Sequence, residues 1–168
     1  RAVALVDQDG RWVRNGASNK LYLGTIRCHS AGAACDTWAA RFCWNNYNRV
    51  HRTLKIIESA NSWSYNLQVF RPFNNNIANK IDYVVGLVEE PIYLFCQAST
   101  NPNPQNTPII GIGLDSTSTS SATITFQGNG PANYGFPAHA IFNDYPTLGY
   151  HYLCMLERCE LASAITFY

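Results

Sequence analysis

The stretch that most constrains this chain is its last one, Asn143 to Tyr168. After a turn marked by Asn143, Asp144 and Pro146, the run from Gly149 to Arg158 is dense in aromatic and aliphatic residues and holds no breaker. Such a run predicts a buried, central strand. The segment from Ala162 then alternates, with Ala162, Ala164, Thr166 and Tyr168 on one face and Ser163, Ile165 and Phe167 on the other. On this reading the chain ends inside a sheet. Ile165, Phe167 and Tyr168 must then be hidden, either against the body of their own domain or against a neighbouring copy.

Upstream, Ala2 to Arg14 reads as a hairpin around Asp7-Gln8-Asp9-Gly10, stopped by Asn15-Gly16. Leu21 to Ile26 is the next strand. Helix and strand compete between Trp38 and Val50, where Asp36 or Thr37 could cap a short helix. Phe42, Trp44, Tyr47 and the pair Asn45-Asn46 favour a strand and turn instead. Thr53–Glu58 and Ser62–Tyr65 read as short strands, and Ile81–Val88 as an apolar run in the core. Ile92–Gln97 reads as the next antiparallel strand. The prolines of Asn101 to Pro108 mark a loop, since they lack the backbone donor. Ile109–Leu114 and Ala122–Phe126 flank a Ser/Thr tract at Ser116 to Ser121. About ten short strands without a helix predict an all-β fold, an antiparallel β-sandwich of jelly-roll-like or Greek-key type. With no repeat and no linker, residues 1–168 read as a single domain.

Charged residues make up 14% of the 168 residues, against roughly 25% in an average soluble domain. The surface is therefore polar but uncharged. A formal net charge of +1 leaves neither the basic footprint of a nucleic-acid binder nor a patch for an anionic membrane, so neither partner is expected. No apolar run approaches the ~18 residues of a transmembrane helix. The sequence opens at Arg1 in a strand-like stretch, and we expect it to be part of a longer chain. Six cysteines, at 28, 35, 43, 96, 154 and 159, are irregularly spaced. Buried free thiols are the expectation, with one or two disulfides and a zinc site as alternatives. Cys154 and Cys159 lie an odd number of residues apart, which on a strand points them to opposite faces and away from one metal ion. No metal and no cofactor are expected.

Catalytic signals are absent. No Ser sits in Gly-x-Ser-x-Gly, and the histidines at 29, 51, 139 and 151 are scattered. Glu89-Glu90 reads as a solvated turn before Pro91, because glycosidase carboxylates come from different elements. Asp115 and Asp144 lack the spacing of a calcium loop. Gly111-Ile112-Gly113 lacks the lysine and helix of a phosphate loop, and its glycines more naturally admit a second backbone at close range. The chain is thus expected not to be an enzyme. The candidate binding residues are aromatics in Asn- and Gly-rich stretches: Tyr47, Tyr134, Phe136 and Tyr145. They suit stacking on a sugar beside amide hydrogen bonds, and equally the packing of a neighbouring subunit. Ile81–Val88 and Tyr150–Leu156 are apolar on both faces, which predicts cover from outside a two-layer sandwich. Self-association under closed symmetry would supply it.

A series of strings carries a resemblance: Tyr22-Leu-Gly-Thr-Ile-Arg27, Arg41-Phe-Cys-Trp-Asn-Asn-Tyr-Asn-Arg-Val50, Trp63-Ser-Tyr65, Val84-Val-Gly86, Gly111-Ile-Gly-Leu-Asp-Ser116 and Gly149-Tyr-His-Tyr-Leu153, after an opening Arg1-Ala-Val-Ala-Leu5 with Asp9-Gly10. In this order they resemble proteins of tailed bacteriophages and prophages that are placed among virion or tail-fibre-type components. The resemblance spans almost the whole chain and carries no catalytic motif. It implies a structural virion module, in a tail fibre or spike or decorating a capsid, that works in assembly and host attachment. Modules of the kind it resembles usually have threefold symmetry, so the self-association is expected to be a homotrimer, and the loop aromatics Tyr134 and Phe136 are the expected contact with a host surface glycan or with other virion proteins. The alternative is a lectin-like sandwich that binds carbohydrate without any virion role.

Overall fold

The computed structural model describes residues 3–101, 106–122, 124–126 and 135–168. Among them there is no α-helix. The N-terminal part holds three small sheets. Leu5–Gln8 (β1), Arg11–Arg14 (β2) and Ala17–Leu21 (β3) form a meander, Gly24–Ile26 (β4) pairs with Cys43–Asn45 (β8), and Cys28–Ser30 (β5) pairs with Ala33–Ala34 (β6). The first hairpin turns at Asp9 and Gly10, both at positive φ (55° and 75°), as a two-residue loop between right-twisted strands demands. The stretch expected as one strand from Leu21 to Ile26 is instead divided between β3 and β4.

Two five-stranded sheets form the body. Sheet I runs β10 (Arg71–Pro72), β16 (Gly149–Cys159), β11 (Lys80–Val85) and β7 (Ala40–Arg41), with β13 (Pro108–Leu114) on the other edge of β16. Sheet II runs β14 (Ile124–Phe126), β15 (Phe136–Asp144), β12 (Ile92–Asn101), β17 (Ile165–Phe167) and β9 (Trp63–Tyr65). All pairings are antiparallel except β7 with β11. From β11 onward the chain changes sheet at every connection but the one from β14 to β15, so the architecture is the all-β sandwich expected from the strand pattern. Ile92–Gln97 is antiparallel, but to β15 and not to the preceding β11, and the far end of β12, Thr100 and Asn101, pairs with β17.

β16 is the central strand that its apolar run predicts. β11 and β10 pair along one side and β13 along the other, and Leu153, Cys154, Leu156, Glu157 and Cys159 are buried. The core between the sheets joins Leu153, Ile110, Ile112, Tyr83 and Val85 of sheet I to Cys96, Ala98, Ala138, Ala140 and Phe142 of sheet II. β17 lies between β12 and β9. Ile165 and Phe167 face that core, so the chain's own body hides two of the three residues expected to be hidden, while Tyr168, on the opposite face of the strand, is exposed.

The outer face of sheet I is covered as well, and by this same chain. Trp44 and Tyr22 stack at 6.0 Å over Gly86, where an added Cβ would lie 2.7 Å from the Tyr22 hydroxyl and inside the Trp44 ring. Arg27 lies over the Tyr150 ring at 3.3 Å, and Phe42 meets that ring edge-on at 6.0 Å. The Ser/Thr tract folds over β13, with Ser121 N donating to Ile112 O at 2.6 Å. A Cβ on Gly113 would come within 3.0 Å of Thr119 O and nearer still to Ser116 O, so the glycines admit a second backbone at close range. The two-faced apolar character of β11 and β16 is thus satisfied largely within one chain.

Two local expectations meet different outcomes. The segment from Trp38 to Val50 is strand and turn, through β7 and β8. Thr53–Glu58, expected as a strand, is not one. Its burial alternates, with Leu54, Ile56 and Glu58 turned partly inward, but its one cross-chain backbone bond among the described residues is Lys55 N to Trp38 O at 2.6 Å. Alternation shows that one side packs; a ladder also needs a neighbouring edge, and this segment has none.

Candidate functional site

The four aromatics expected at a binding site do not converge among the described residues. Tyr47 is exposed in the turn after β8, its N–H bonded to Asn45 Oδ1 at 2.9 Å. Tyr145 is exposed in the turn between β15 and β16, its N–H bonded to Asp144 Oδ1 at 2.7 Å. Phe136 is the first residue of β15 and half-buried, opposite Thr100, whose hydroxyl donates to the Phe136 carbonyl at 2.9 Å. Tyr134 lies outside the described residues.

The prominent uncharged surface is the outer face of sheet II. Strand alternation turns Cys96, Ala98 and Thr100 of β12 inward and Tyr93, Phe95, Gln97 and Ser99 outward, and on β15 it turns Pro137, His139, Ile141 and Asn143 outward. In the register Tyr93 faces Asn143, Phe95 faces Ile141 and Gln97 faces His139. Tyr93 is 64% exposed and Phe95 48%, and Phe95 packs on the His139 ring at 5.6 Å. Ser64 and Thr166 continue the face onto β9 and β17. Its described residues include no Asp, Glu, Lys or Arg. The signal for it was legible, since Ile92-Tyr-Leu-Phe95 places a large apolar residue on each face of one strand and one of those faces has to be outside.

A second feature is a cavity of about 640 Å³. Tyr83, Val85 and Leu153 of sheet I line it on one side, Ile92 and Leu94 of β12 on another, and the segment 49–54 on a third. Arg41, Arg52 and His51 are its basic lining groups besides Arg49. Arg49 is already engaged by Glu89 and lies 3.9 Å from Glu90. Glu89 also accepts from Trp12 Nε1 at 3.0 Å, so it ties the first hairpin and the 45–49 turn to the end of β11. The expected solvated turn is thus a junction on its Glu89 side. Tyr83 is only 5% exposed, and its hydroxyl is the one buried side-chain polar atom among the described residues without a hydrogen-bond partner. Burial, with Asp115 and Asp144 nearby, pushes its pKa upward, so the phenol stays protonated and able to donate. One sign of this cavity is in the sequence: four of the twelve Lys and Arg, at 41, 49, 52 and 55, fall between positions 37 and 57, where no Asp or Glu occurs.

Two polar clusters resemble chemistry and are better explained as structure. Asp115 Oδ2 lies 2.6 Å from His151 Nδ1, and Thr147 Oγ1 lies 3.4 Å from Nε2, in the order acid, imidazole, hydroxyl. The Thr147 carbonyl is closer to Nε2, at 2.7 Å. A nitrogen that donates to a carbonyl cannot take the hydroxyl's proton. The ring therefore ties the turn before β16 to the end of β13, where Asp115 Oδ1 also accepts from Tyr152 N at 2.9 Å. Glu157, fully buried, accepts from Arg71 Nε at 2.8 Å and from Trp63 Nε1 at 2.5 Å. Burial outweighs these bonds and raises its pKa. Trp63 stacks on Phe167 at 5.8 Å, so the cluster joins sheet I to sheet II.

Three carboxylates, Glu58, Glu89 and Asp115, are held by structural partners. Glu58 accepts from Ala60 N at 2.9 Å and Asn79 Nδ2 at 2.5 Å, Glu89 from Trp12 and Arg49, and Asp115 from His151 and Tyr152. Among the described residues no group of three or more His, Cys, Asp or Glu is arranged to hold a metal ion. All six cysteines are free thiols, but the expected burial holds only for Cys96, Cys154 and Cys159; Cys35 and Cys43 are half-buried and Cys28 is exposed. No protein-family model, no curated protein and no solved structure matches the chain.

Proposed function

We propose that this chain is a structural surface module of a tailed-phage virion, of tail-fibre, spike or capsid-decorating type, and not an enzyme. It associates with copies of itself through the outer face of sheet II, as a closed homotrimer, and meets other virion proteins and a host surface glycan. The observation that carries the reading is that face. Tyr93, Phe95 and Ile141 stand on it among uncharged polar residues, and a sheet face with exposed aromatics and no charge is suited to being covered. Sheet I cannot serve as that interface, because the chain covers its outer face itself. The order of sequence motifs along the chain supports the virion setting, and the trimer number rests on that resemblance.

Mass spectrometry and immunogold electron microscopy of particles purified from the native host culture test the reading. The protein is expected in the particles at high copy number and at one defined position. Its absence from purified particles would reject the virion role. A second reading, a carbohydrate-binding sandwich with no virion role, is favoured by the cavity under the segment 49–54. It predicts glycan binding by a protein that particles lack.

A further inference from the structure

We infer that His151 is a pH-sensitive latch on the turn 145–148: its imidazolium form holds the turn to the sandwich through both ring nitrogens, and loss of one proton releases it. The ring is buried on β16, with Nδ1 2.6 Å from Asp115 Oδ2 and Nε2 2.7 Å from the Thr147 carbonyl. Both oxygens act as acceptors, the carboxylate when ionised and the carbonyl always. Only a ring with a proton on each nitrogen satisfies both at once.

A neutral ring keeps one proton. The Asp115 carboxylate holds it, because a charged acceptor makes the stronger bond and because Asp115 is itself fixed in place. Its Oδ1 accepts from Tyr152 N at 2.9 Å, and its own N–H donates to Tyr152 O at 2.9 Å. The Nε2 lone pair then faces the Thr147 carbonyl, two acceptors with no proton between them. The Thr147 hydroxyl stands 3.4 Å from that nitrogen, too far to replace the lost bond unless the turn moves. Gly149 follows directly, at φ 120°, where an added Cβ would meet nothing within 4 Å. It is the joint at which the turn can swing against β16.

The surroundings leave the imidazole as the member that titrates. Asp115 comes from the end of β13, and Tyr83 of β11 stands opposite His151 in the register with its ring at 5.9 Å. Asp144, at the end of β15, acts on the Tyr83 hydroxyl and accepts from Tyr145 N. Arg41 of β7 follows Tyr83 on the same face, its Nε bonded to the Cys43 carbonyl. Tyr150, Tyr152, Lys80 and Asp82 belong to the opposite face of the sheet. Of these groups only the imidazole is of a type that ordinarily changes charge between about pH 5 and 8. The turn it holds carries Tyr145 and Leu148, both exposed. An acidic medium therefore presents that pair in one fixed arrangement, and a neutral or alkaline one frees it.

Nuclear magnetic resonance of the full chain at about pH 5 and about pH 8, the ends of the imidazole range, tests the latch. Long-range proton–nitrogen spectra of the His151 ring are expected to show a proton on both nitrogens at the lower pH and on Nδ1 alone at the higher. Backbone order parameters of Tyr145, Thr147 and Leu148 are expected to fall over the same interval, from the ~0.85 of rigid backbone towards ~0.6. In His151→Gln, whose amide can still donate to the Thr147 carbonyl, they should not depend on pH. The ring spectra of the wild type decide the matter even where that variant fails to fold. A His151 ring with the same protons at both pH values would overturn the inference. So would order parameters that do not fall, or that fall equally in His151→Gln.

Discussion

Arg71 and Glu157 sit directly opposite each other on β10 and β16, and the Arg71 Nε donates to Glu157 Oε1 at 2.8 Å. The carboxylate is fully buried, while the Arg71 side chain is 24% exposed, so the two partners do not lose equally when separated. Arg71→Ala strands a buried negative charge and is expected to cost roughly 3–5 kcal/mol. Glu157→Gln keeps an acceptor for Trp63 or Arg71 and lets the guanidinium turn to water, at an expected cost of about 1–2 kcal/mol. Urea unfolding of both variants at pH 7 checks the asymmetry, and equal costs would contradict it.

Two carboxylates bias the pH dependence in opposite directions. Burial raises Glu157 above its ordinary 4.5. The folded state therefore holds that proton more tightly, and the contribution is largest below pH 4.5 and declines as pH rises through the raised value. Hydrogen bonds from Ala60 N and Asn79 lower Glu58 below 4.5, so its contribution is present above pH 4.5 and lost as pH falls through the lowered value. Relative to Glu157→Gln, the wild type should lose stability on going up from pH 4.5. Relative to Glu58→Gln, it should lose stability on going down. Unfolding curves taken across pH 3 to 7, about the span of both carboxylate windows, give both slopes.

Thiol reactivity should divide the cysteines by layer. Burial pushes Cys96 up to about 12 and Cys154 and Cys159 up to about 11, so these are protonated and shielded at neutral pH. The Cys159 thiol also donates to the Tyr65 carbonyl at 3.1 Å. A maleimide at pH 7 should label Cys28, Cys35 and Cys43 in the native protein, and the other three only after unfolding. Mass mapping of the labelled peptides decides it, and native labelling of Cys154 would count against the packing of β16.

Much of this architecture was legible in the residues. The unbroken apolar run of Gly149 to Arg158 marks a strand paired on both edges, and the alternation at Ile165 and Phe167 marks an inward face. Asp9-Gly10 marks a tight hairpin. Thr53–Glu58 has the alternation of a strand without being one, because alternation reports a packed side and says nothing of a partner edge. Tyr93 and Phe95 do not stand out in the sequence as the exposed pair, because β11 and β16 are equally two-faced and no local pattern tells which outer face Trp44, Phe42 and Ser116 to Ser121 will cover. The cavity was hidden for a related reason. Arg41, Arg52 and Tyr83 come from separate segments, and only the fold brings them together.

Close packing on the outer face of sheet I gives a test of that internal cover. Gly113→Ala forces a methyl group against the Ser116 carbonyl and Leu156, and Gly86→Ala forces one into the Trp44 ring. Each is expected to cost about 1–3 kcal/mol, as overpacking does, and Gly86→Ala should also shift the tryptophan fluorescence as Trp44 is displaced. Thermal melts followed by fluorescence check both. A neutral Gly86→Ala would mean that Trp44 does not seal β11.

The outer face of sheet II is where the proposed assembly is most directly exposed to test. Sedimentation velocity at micromolar concentration, on the wild type and on the double variant Tyr93→Lys with Phe95→Lys, reads the state of association. Both residues point away from the core, so the variant is expected to fold, with an unchanged strand signal in circular dichroism, while two like charges per copy oppose closure of the interface. The predicted result is a single trimeric species for the wild type and a monomer for the variant. A wild type that remains a stable, non-aggregating monomer would contradict the account, and a dimer would keep the interface while discarding the trimer.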